Sequence, residues 1–335
     1  MARRAADVVL VAGRWRPEGI PIPCRRHATI SSPAGQTAPG RLRLAADAGA
    51  VAGRRRSADD SGMPAFAIAP LLSTSTVSVH DLSCPGEGAH ARAAAATHLV
   101  LPYRGLYVRH LGRTAVVAEA GQVLFFNAGE DDRFEHPVPG GDGSLAVAVE
   151  EAMLRELAPP ALLRDGAALA FRQPRLRIDA RAQTLVALLR HSLREAIAEP
   201  LEAESLALTL VHRALGPRTT HAAGASAGRQ HLVDRTKLVL AGDLSRRWSL
   251  AEIAAEVGVS PVYLTQVFQQ VEGLPLYRYQ LRLRLARALD LLAQYDDLSQ
   301  LSLDLGFSSH SHFSAAFQRA YGRSPSEFRQ SALQR

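Results

Sequence analysis

The sequence predicts an α+β chain of two domains. A β-sandwich or barrel with flanking helices comes first, and an all-α region with two helix-turn-helix units joined by a long helix comes second. Three observations predict this. Short β-type runs punctuated by Gly or Pro follow one another from Thr74 to about Glu150, and many short strands at close spacing mean a sandwich or barrel. Helical periods replace them beyond residue 179. A helix, a tight glycine turn and a second helix then occur twice, offset by 48 to 49 residues. The expected boundaries are a disordered tail over 1–62, a β-rich domain over 63–215 with its helices at 179–215, a linker over 216–230, and the all-α domain over 231–335.

Residues 1–62 show no sustained period and are rich in Pro, Gly, Ala and Arg, which predicts disorder. They hold 11 Arg against 5 acids. The largest part of the chain's net charge of +7 therefore lies outside the all-α domain. That excess reads either as a basic arm for phosphates or as a tail outside the functional protein. The apolar run VVLVAG is too short for a signal peptide and is followed by Arg-Trp-Arg. No apolar run approaches 18 residues, so no membrane span is expected. Two cysteines, Cys24 and Cys84, stand far apart without metal-ligand spacing, which fits a reducing cytoplasm and no disulfide framework.

The expected strands are STVSVHDL, THLVLP, GLYVRHL, TAVVAEAG, QVLFFNAG and SLAVAVE. His80, His90, His98, His110 and His136 are scattered among them with no His-x-His pair. No metal, cofactor or catalytic triad is expected, and an enzyme is the remotest reading. Helices follow, with Leu185, Leu188, Leu189, Leu193 and Ile197 on one stripe and Leu201, Leu206, Leu208, Val211 and Leu215 on another. They can cover the β-domain, form a dimer contact, or both. GPRTTHAAGASAGRQ, without periodicity, reads as the interdomain linker.

In the first helix-turn-helix unit Ser249 and Glu252 form a capping box, and Leu250, Ile253, Ala254 and Val257 form the apolar face. Gly258 ends that helix. Ser260-Pro261 starts the next as N-cap and first helical residue. Leu264, Val267, Phe268 and Val271 repeat at i, i+3, i+4, i+7, and Gly273 stops the run. In the second unit Leu298, Leu301, Ser302 and Leu305 precede Gly306. Ser308 and Ser309 are N-cap candidates, Phe313, Ala316, Phe317 and Ala320 face inward, and Gly322 and Ser324-Pro325 close the pattern. Between the units, PLYRYQLRLRLARALDLLAQY over 275–295 predicts one helix of about 31 Å, close to one turn of duplex DNA.

These residues carry a resemblance. From about Val233 to Arg335 the chain resembles the DNA-binding domain of the AraC/XylS family of bacterial transcription regulators, through SLAEIAAEVGVSPVYLTQVFQQVEGLPLYRY, RLRLARALDLL and GFSSHSHFSAAFQRAYGRSPSEFR. More weakly, HLVLPYRGLYVRHLG and FEHPVPGGDGS resemble the cupin-like sensor domain that many members carry in front of it. The resemblance implies an N-terminal cupin-like β-barrel. It implies base-reading residues on the two second helices, Val262, Thr265 and Gln266 in the first and His310, Ser311, Ser314 and Ala315 in the second, and Gln269, Gln318 and Arg319 are expected to join them in binding DNA. Many members carry Arg where this chain has Ala315, a departure that weakens expected base reading there. Double-stranded promoter DNA, RNA polymerase, a second copy of the chain and a small-molecule effector are the expected partners, in the cytoplasm at the bacterial nucleoid. Candidate effector residues are His98, Tyr107, Arg109 and Phe125, with Arg109 or Arg104 suited to a carboxylate. The alternative is a constitutive regulator whose barrel serves only dimerisation or protein contacts, with a cupin-type enzyme more remote.

Overall fold

The computed structural model describes residues 8–11, 14–17, 66–86, 89–216 and 226–333. Most of the expected tail and residues 217–225 of the expected linker lie outside them. Within the tail, β1 (Val8–Val11) and β2 (Arg14–Pro17) pair as an antiparallel hairpin.

The N-terminal domain begins with β3 (Ala67–Ser73), β4 (Val77–Cys84), β5 (Ala89–Ala93), β6 (His98–Arg104), β7 (Leu106–Leu111), β8 (Thr114–Glu119), β9 (Gln122–Phe126), β10 (Asp131–Glu135) and β11 (Asp142–Val149). After α1 (Glu151–Leu157) and a short 3-10 turn comes β12 (Arg175–Arg177). Helices α2 (Ala180–Arg194) and α3 (Pro200–Leu215) complete the domain.

The strands form two separate antiparallel sheets, β5-β10-β7-β8 and β12-β9-β6-β11-β4-β3. This corrects the expected cupin-like β-barrel. A barrel needs a hydrogen-bonded ladder that returns to its first strand, and here β5, β8, β12 and β3 remain as edges of two open sheets. Six of the strands, β4, β6, β7, β8, β9 and β11, were legible in sequence. The edge strand β3 was not, because Pro70 interrupts its ladder at a register shift, which an edge tolerates. Nor was β10, whose sequence DDRFE lacks an apolar run.

Leu82, Val100, Tyr107, Ala118, Leu124, Phe126 and Ala146 fill the space between the sheets. On the other face of the large sheet, Val79, Leu99, Leu101, Phe125, Leu145 and Val147 meet α2 and α3 through Val186, Leu189, Ala207, Leu210 and Val211. The helices therefore cover the sheet. Helix α2 is used twice, because Ala187 and Leu188 pack against the core of the C-terminal domain.

The C-terminal region is all α: α4 (Ala227–Gly242), α5 (Leu250–Val257), α6 (Pro261–Glu272), α7 (Leu276–Leu291), α8 (Leu298–Asp304), α9 (His310–Tyr321) and α10 (Pro325–Leu333). Helix α4 takes in the end of the expected linker. One core joins α4, α5, α6 and the start of α7 through Val233, Leu240, Ile253, Leu264, Phe268 and Tyr279. A second joins the end of α7 to α8, α9 and α10 through Leu285, Leu301, Phe307, Phe313, Phe317 and Phe328. Helix α7 has 16 residues, not the expected 21, so it spans about 24 Å. Among the described residues no helix is long and apolar enough to cross a membrane.

Candidate nucleic-acid interface

The local chemistry read from sequence builds both helix-turn-helix units. Ser249 Oγ accepts from Glu252 N–H at 3.2 Å, and Glu252 accepts from Ser249 N–H at 2.8 Å, a reciprocal box that satisfies two free donors of the first turn. Hydrogen bonds from the Ser249 backbone and side chain and from Arg246 hold the Glu252 carboxyl down to about 2. Ser260 caps α6 by accepting from Tyr263 N–H, and Ser309 caps α9 by accepting from His312 N–H. Gly258, Gly273 and Gly322 end α5, α6 and α9 with φ of 73°, 68° and 78°, the left-handed conformation that favours glycine.

With Leu264, Val267, Phe268 and Val271 turned inward, α6 leaves Val262, Gln266 and Gln269 exposed. Val262 is 68% exposed, an unusual placement for an aliphatic side chain at a helix start. Thr265 is half-buried, and its hydroxyl donates to Pro261 O at 2.9 Å. On α9, burial of Phe313, Ala316 and Phe317 leaves His310, Ser311, Ala315, Gln318 and Arg319 exposed and Ser314 half-buried. Arg319 Nε donates to Ala315 O at 3.1 Å. Each expected set of base-reading residues therefore shares one outward helix face. Exposed amides, hydroxyls and an imidazole at capped helix N-termini suit base edges and phosphates.

All four candidate effector residues are buried inside the N-terminal domain. Arg109 is fully buried and pairs twice with Asp132, Nε to Oδ1 at 2.7 Å and Nη2 to Oδ2 at 3.1 Å. It also donates to Phe125 O at 2.7 Å and lies 3.6 Å over the Phe126 ring. Its guanidinium already has a carboxylate. His98 is buried, with Nδ1 2.8 Å from Ala96 O and its ring stacked on Phe126. Tyr107 lies between the sheets, and Phe125 points the other way onto Phe171. Arg104 donates to Ser83 Oγ at 3.2 Å.

Sequence reasoning missed the junction between the domains. Lys237 on α4 is fully buried, with Nζ 2.7 Å from Glu119 Oε1 and 2.8 Å from Glu272 Oε1. Arg177 from β12 donates to Glu272, and Tyr279 from α7 donates to Glu119. Burial works against the charge of Glu272, but Lys237 and Arg177 outweigh it and hold the carboxyl below its ordinary range. A second contact pairs Arg190 of α2 with Asp290 of α7 at 2.7 Å, with the guanidinium 3.8 Å over Tyr103. Beside the Arg177–Glu272 contact lies a cleft of about 480 Å³ lined by Arg177, Gln183, Leu274, Arg282 and Tyr321, among others. A lone lysine in an arginine-rich chain was the available signal, and composition hid it.

Comparison with known proteins concerns mainly the C-terminal region. The family described as "Helix-turn-helix domain" matches residues 253–331. The chain is 31% identical over 160 residues to the probable transcriptional regulator LumQ of Photobacterium leiognathi, covering 45% of this chain and 60% of LumQ. It is 33% identical over 107 residues to the HTH-type transcriptional activator RhaR of Klebsiella pneumoniae, covering 32% of this chain and 38% of RhaR. The chain thus spans between about two-fifths and three-fifths of these curated relatives' lengths. Among solved structures, an AraC-type DNA-binding domain-containing transcriptional regulator from Chromobacterium violaceum is 34% identical, with a TM-score of 0.31, over 32% of this chain and 98% of that one. These relatives are named as regulators of transcription. The C-terminal region, with its two capped units and outward polar faces, matches the helix-turn-helix family and is similar to parts of known regulators of transcription.

Proposed function

We propose that the whole chain is a sequence-specific regulator of transcription that reads promoter DNA with α6 and α9. The observation that carries this reading is the pair of exposed polar faces on two independently cored, N-capped helices. In the first unit Gln266 and Gln269 read bases, and Val262 and Thr265 supply apolar and hydroxyl contacts. In the second unit His310, Ser311, Ser314 and Gln318 lie toward the groove, and Arg319 meets phosphate. Ala315 offers only a methyl group.

The N-terminal domain controls how the reading units lie. Glu272 ends α6, so the ion network fastens a reading helix to β8 and β12. A small-molecule effector acts at the domain boundary, where the cleft of about 480 Å³ falls within the size of small-ligand sites. It acts only through unequal affinity for docked and released arrangements. The chain works in the cytoplasm as a homodimer and meets RNA polymerase at the promoter.

A second reading, in which the N-terminal domain serves contacts alone, is favoured by the internal pairing of Arg109 with Asp132. Thermal-shift screening with metabolites decides between them. A compound that raises the melting temperature and alters DNA affinity supports control by an effector. Screening that yields none, with DNA affinity unchanged throughout, supports the second reading. Binding to promoter and random duplexes at matched salt tests the DNA-reading proposal itself.

A further inference from the structure

We infer that Cys84, His136 and Asp142 form a binding site for one divalent cation of the zinc class. Their donor atoms, one sulfur, one imidazole nitrogen and one carboxylate oxygen, all lie within 4.8 Å of one another. Zinc holds sulfur at about 2.3 Å and nitrogen or oxygen at about 2.0–2.2 Å, which places tetrahedral donors roughly 3.3–3.8 Å apart. The most widely spaced donors therefore need to close by about 1–1.5 Å at most, and His136 Nε2 and Asp142 Oδ2, 2.7 Å apart, need to open by about 0.6 Å. A mixed thiolate, imidazole and carboxylate set suits zinc or cobalt rather than magnesium or calcium, which take oxygen donors.

Strand register builds the site. Cys84 ends β4 and Asp142 begins β11, and the two are direct partners across that antiparallel ladder. Opposite residues put their side chains on one face of a sheet. His136 follows β10 of the other sheet, and its Nε2 lies 2.7 Å from Asp142 Oδ2. The segment returning from His136 to Asp142 passes so close to β4 that a Cβ on Gly141 would stand 2.2 Å from Cys84 O, and Gly141 has φ of 67°. The glycine lets the backbone bring all three donors to one point.

The surroundings are those of an inner metal site. Cys84 is 3% and Asp142 6% exposed, and the His136 side chain is almost fully buried. A cation in this position ties β4 and β11 of the large sheet to the end of β10 in the small one. It fixes one end of two sheets that no hydrogen-bonded ladder joins among the described residues. The three ligands leave a fourth tetrahedral position for solvent or an exogenous donor.

The experiment uses the full chain, stripped with a chelator and titrated with Co²⁺. The expected result is saturation at one equivalent, with visible tetrahedral bands and a near-ultraviolet thiolate-to-cobalt absorption that Zn²⁺ abolishes. Cys84→Ser should remove the thiolate absorption, and Cys24→Ser should keep it. His136→Gln and Asp142→Asn should each weaken Zn²⁺ binding, measured by competition with a chromophoric chelator, by more than the ~10–100-fold usual for an outer partner. Circular dichroism checks that each variant is folded. The inference is overturned if the wild-type chain binds no stoichiometric Co²⁺, or if the absorption depends on Cys24. Should Cys84→Ser fail to fold, unchanged Zn²⁺ affinity in both His136→Gln and Asp142→Asn overturns it instead.

Discussion

Lys237, the single lysine of the chain, lies 2.7 Å from Glu119 across the boundary between the two domains, 118 residues away in sequence. The same ammonium reaches Glu272 at the end of α6, so one charge links the N-terminal domain to α6. Removing one member of a buried ion pair costs about 3–5 kcal/mol, because the partner stays buried and uncompensated. Lys237→Met should therefore destabilise the docked chain by about that amount in urea unfolding. Adding Glu119→Gln and Glu272→Gln should recover much of the loss. A neutral Lys237→Met would mean that apolar packing alone holds the domains.

Acid should weaken this junction. The folded-state pKa of Glu272 is depressed by Lys237 and Arg177 despite burial. Its contribution is therefore present above the unfolded value, near 4.3, and is lost as pH falls through the lower folded value. Asp234 works in the opposite sense. Burial raises its pKa despite Lys237 and Arg175, so its protonation relieves strain as pH falls and offsets part of the loss. Carboxyl titration by NMR should find Glu272 below and Asp234 above their ordinary values. The reverse order would contradict the network as described.

Arg109 should be a structural residue. Arg109→Met leaves Asp132 buried without a counter-charge and should cost about 3–5 kcal/mol. Arg109→Met with Asp132→Leu should cost much less, because no charge is then stranded. Thermal or urea unfolding of both variants measures the difference. Equal losses in the single and double variants would show that the pair contributes through shape and not charge.

The two units were legible in sequence because their signals are local. The Ser249–Glu252 box, Ser260-Pro261, Gly258, Gly273 and Gly322 each act within one or two turns, and each occupies the expected place. The strands were legible in part, from apolar runs such as HLVLP and QVLFF. Which strands share a ladder depends on contacts across the whole domain, and the expected barrel failed there. The same reason hid the Cys84–His136–Asp142 cluster, whose members come from two strand ends and a turn, and the Lys237–Glu119 pair. Arg109 looked available for a ligand because its partner Asp132 lies in a charged strand that reads as a loop.

The two reading helices should contribute unequally. Gln266 is exposed and can make a paired contact to adenine worth about 1–3 kcal/mol. Gln266→Ala should relax preference at one half of the bound site by that amount. Ala315 is exposed on the outward face of α9, so Ala315→Arg has room to add a guanine contact and should sharpen or redirect the other half. Site selection from randomised duplexes with each variant checks this. Full preference retained in Gln266→Ala, with most information already in the other half-site, would reverse the assigned roles.

Selection of bound sites from randomised duplex DNA by the unmodified full chain tests the central claim most directly, with affinity of the selected site followed over a salt series. The account predicts a two-part sequence preference, one part for each unit, with centres roughly one helical turn or about 10 base pairs apart. It also predicts affinity that falls steeply as salt releases phosphate contacts. Recovery of no preferred sequence, or equal affinity for selected and random DNA at every salt concentration, would contradict it.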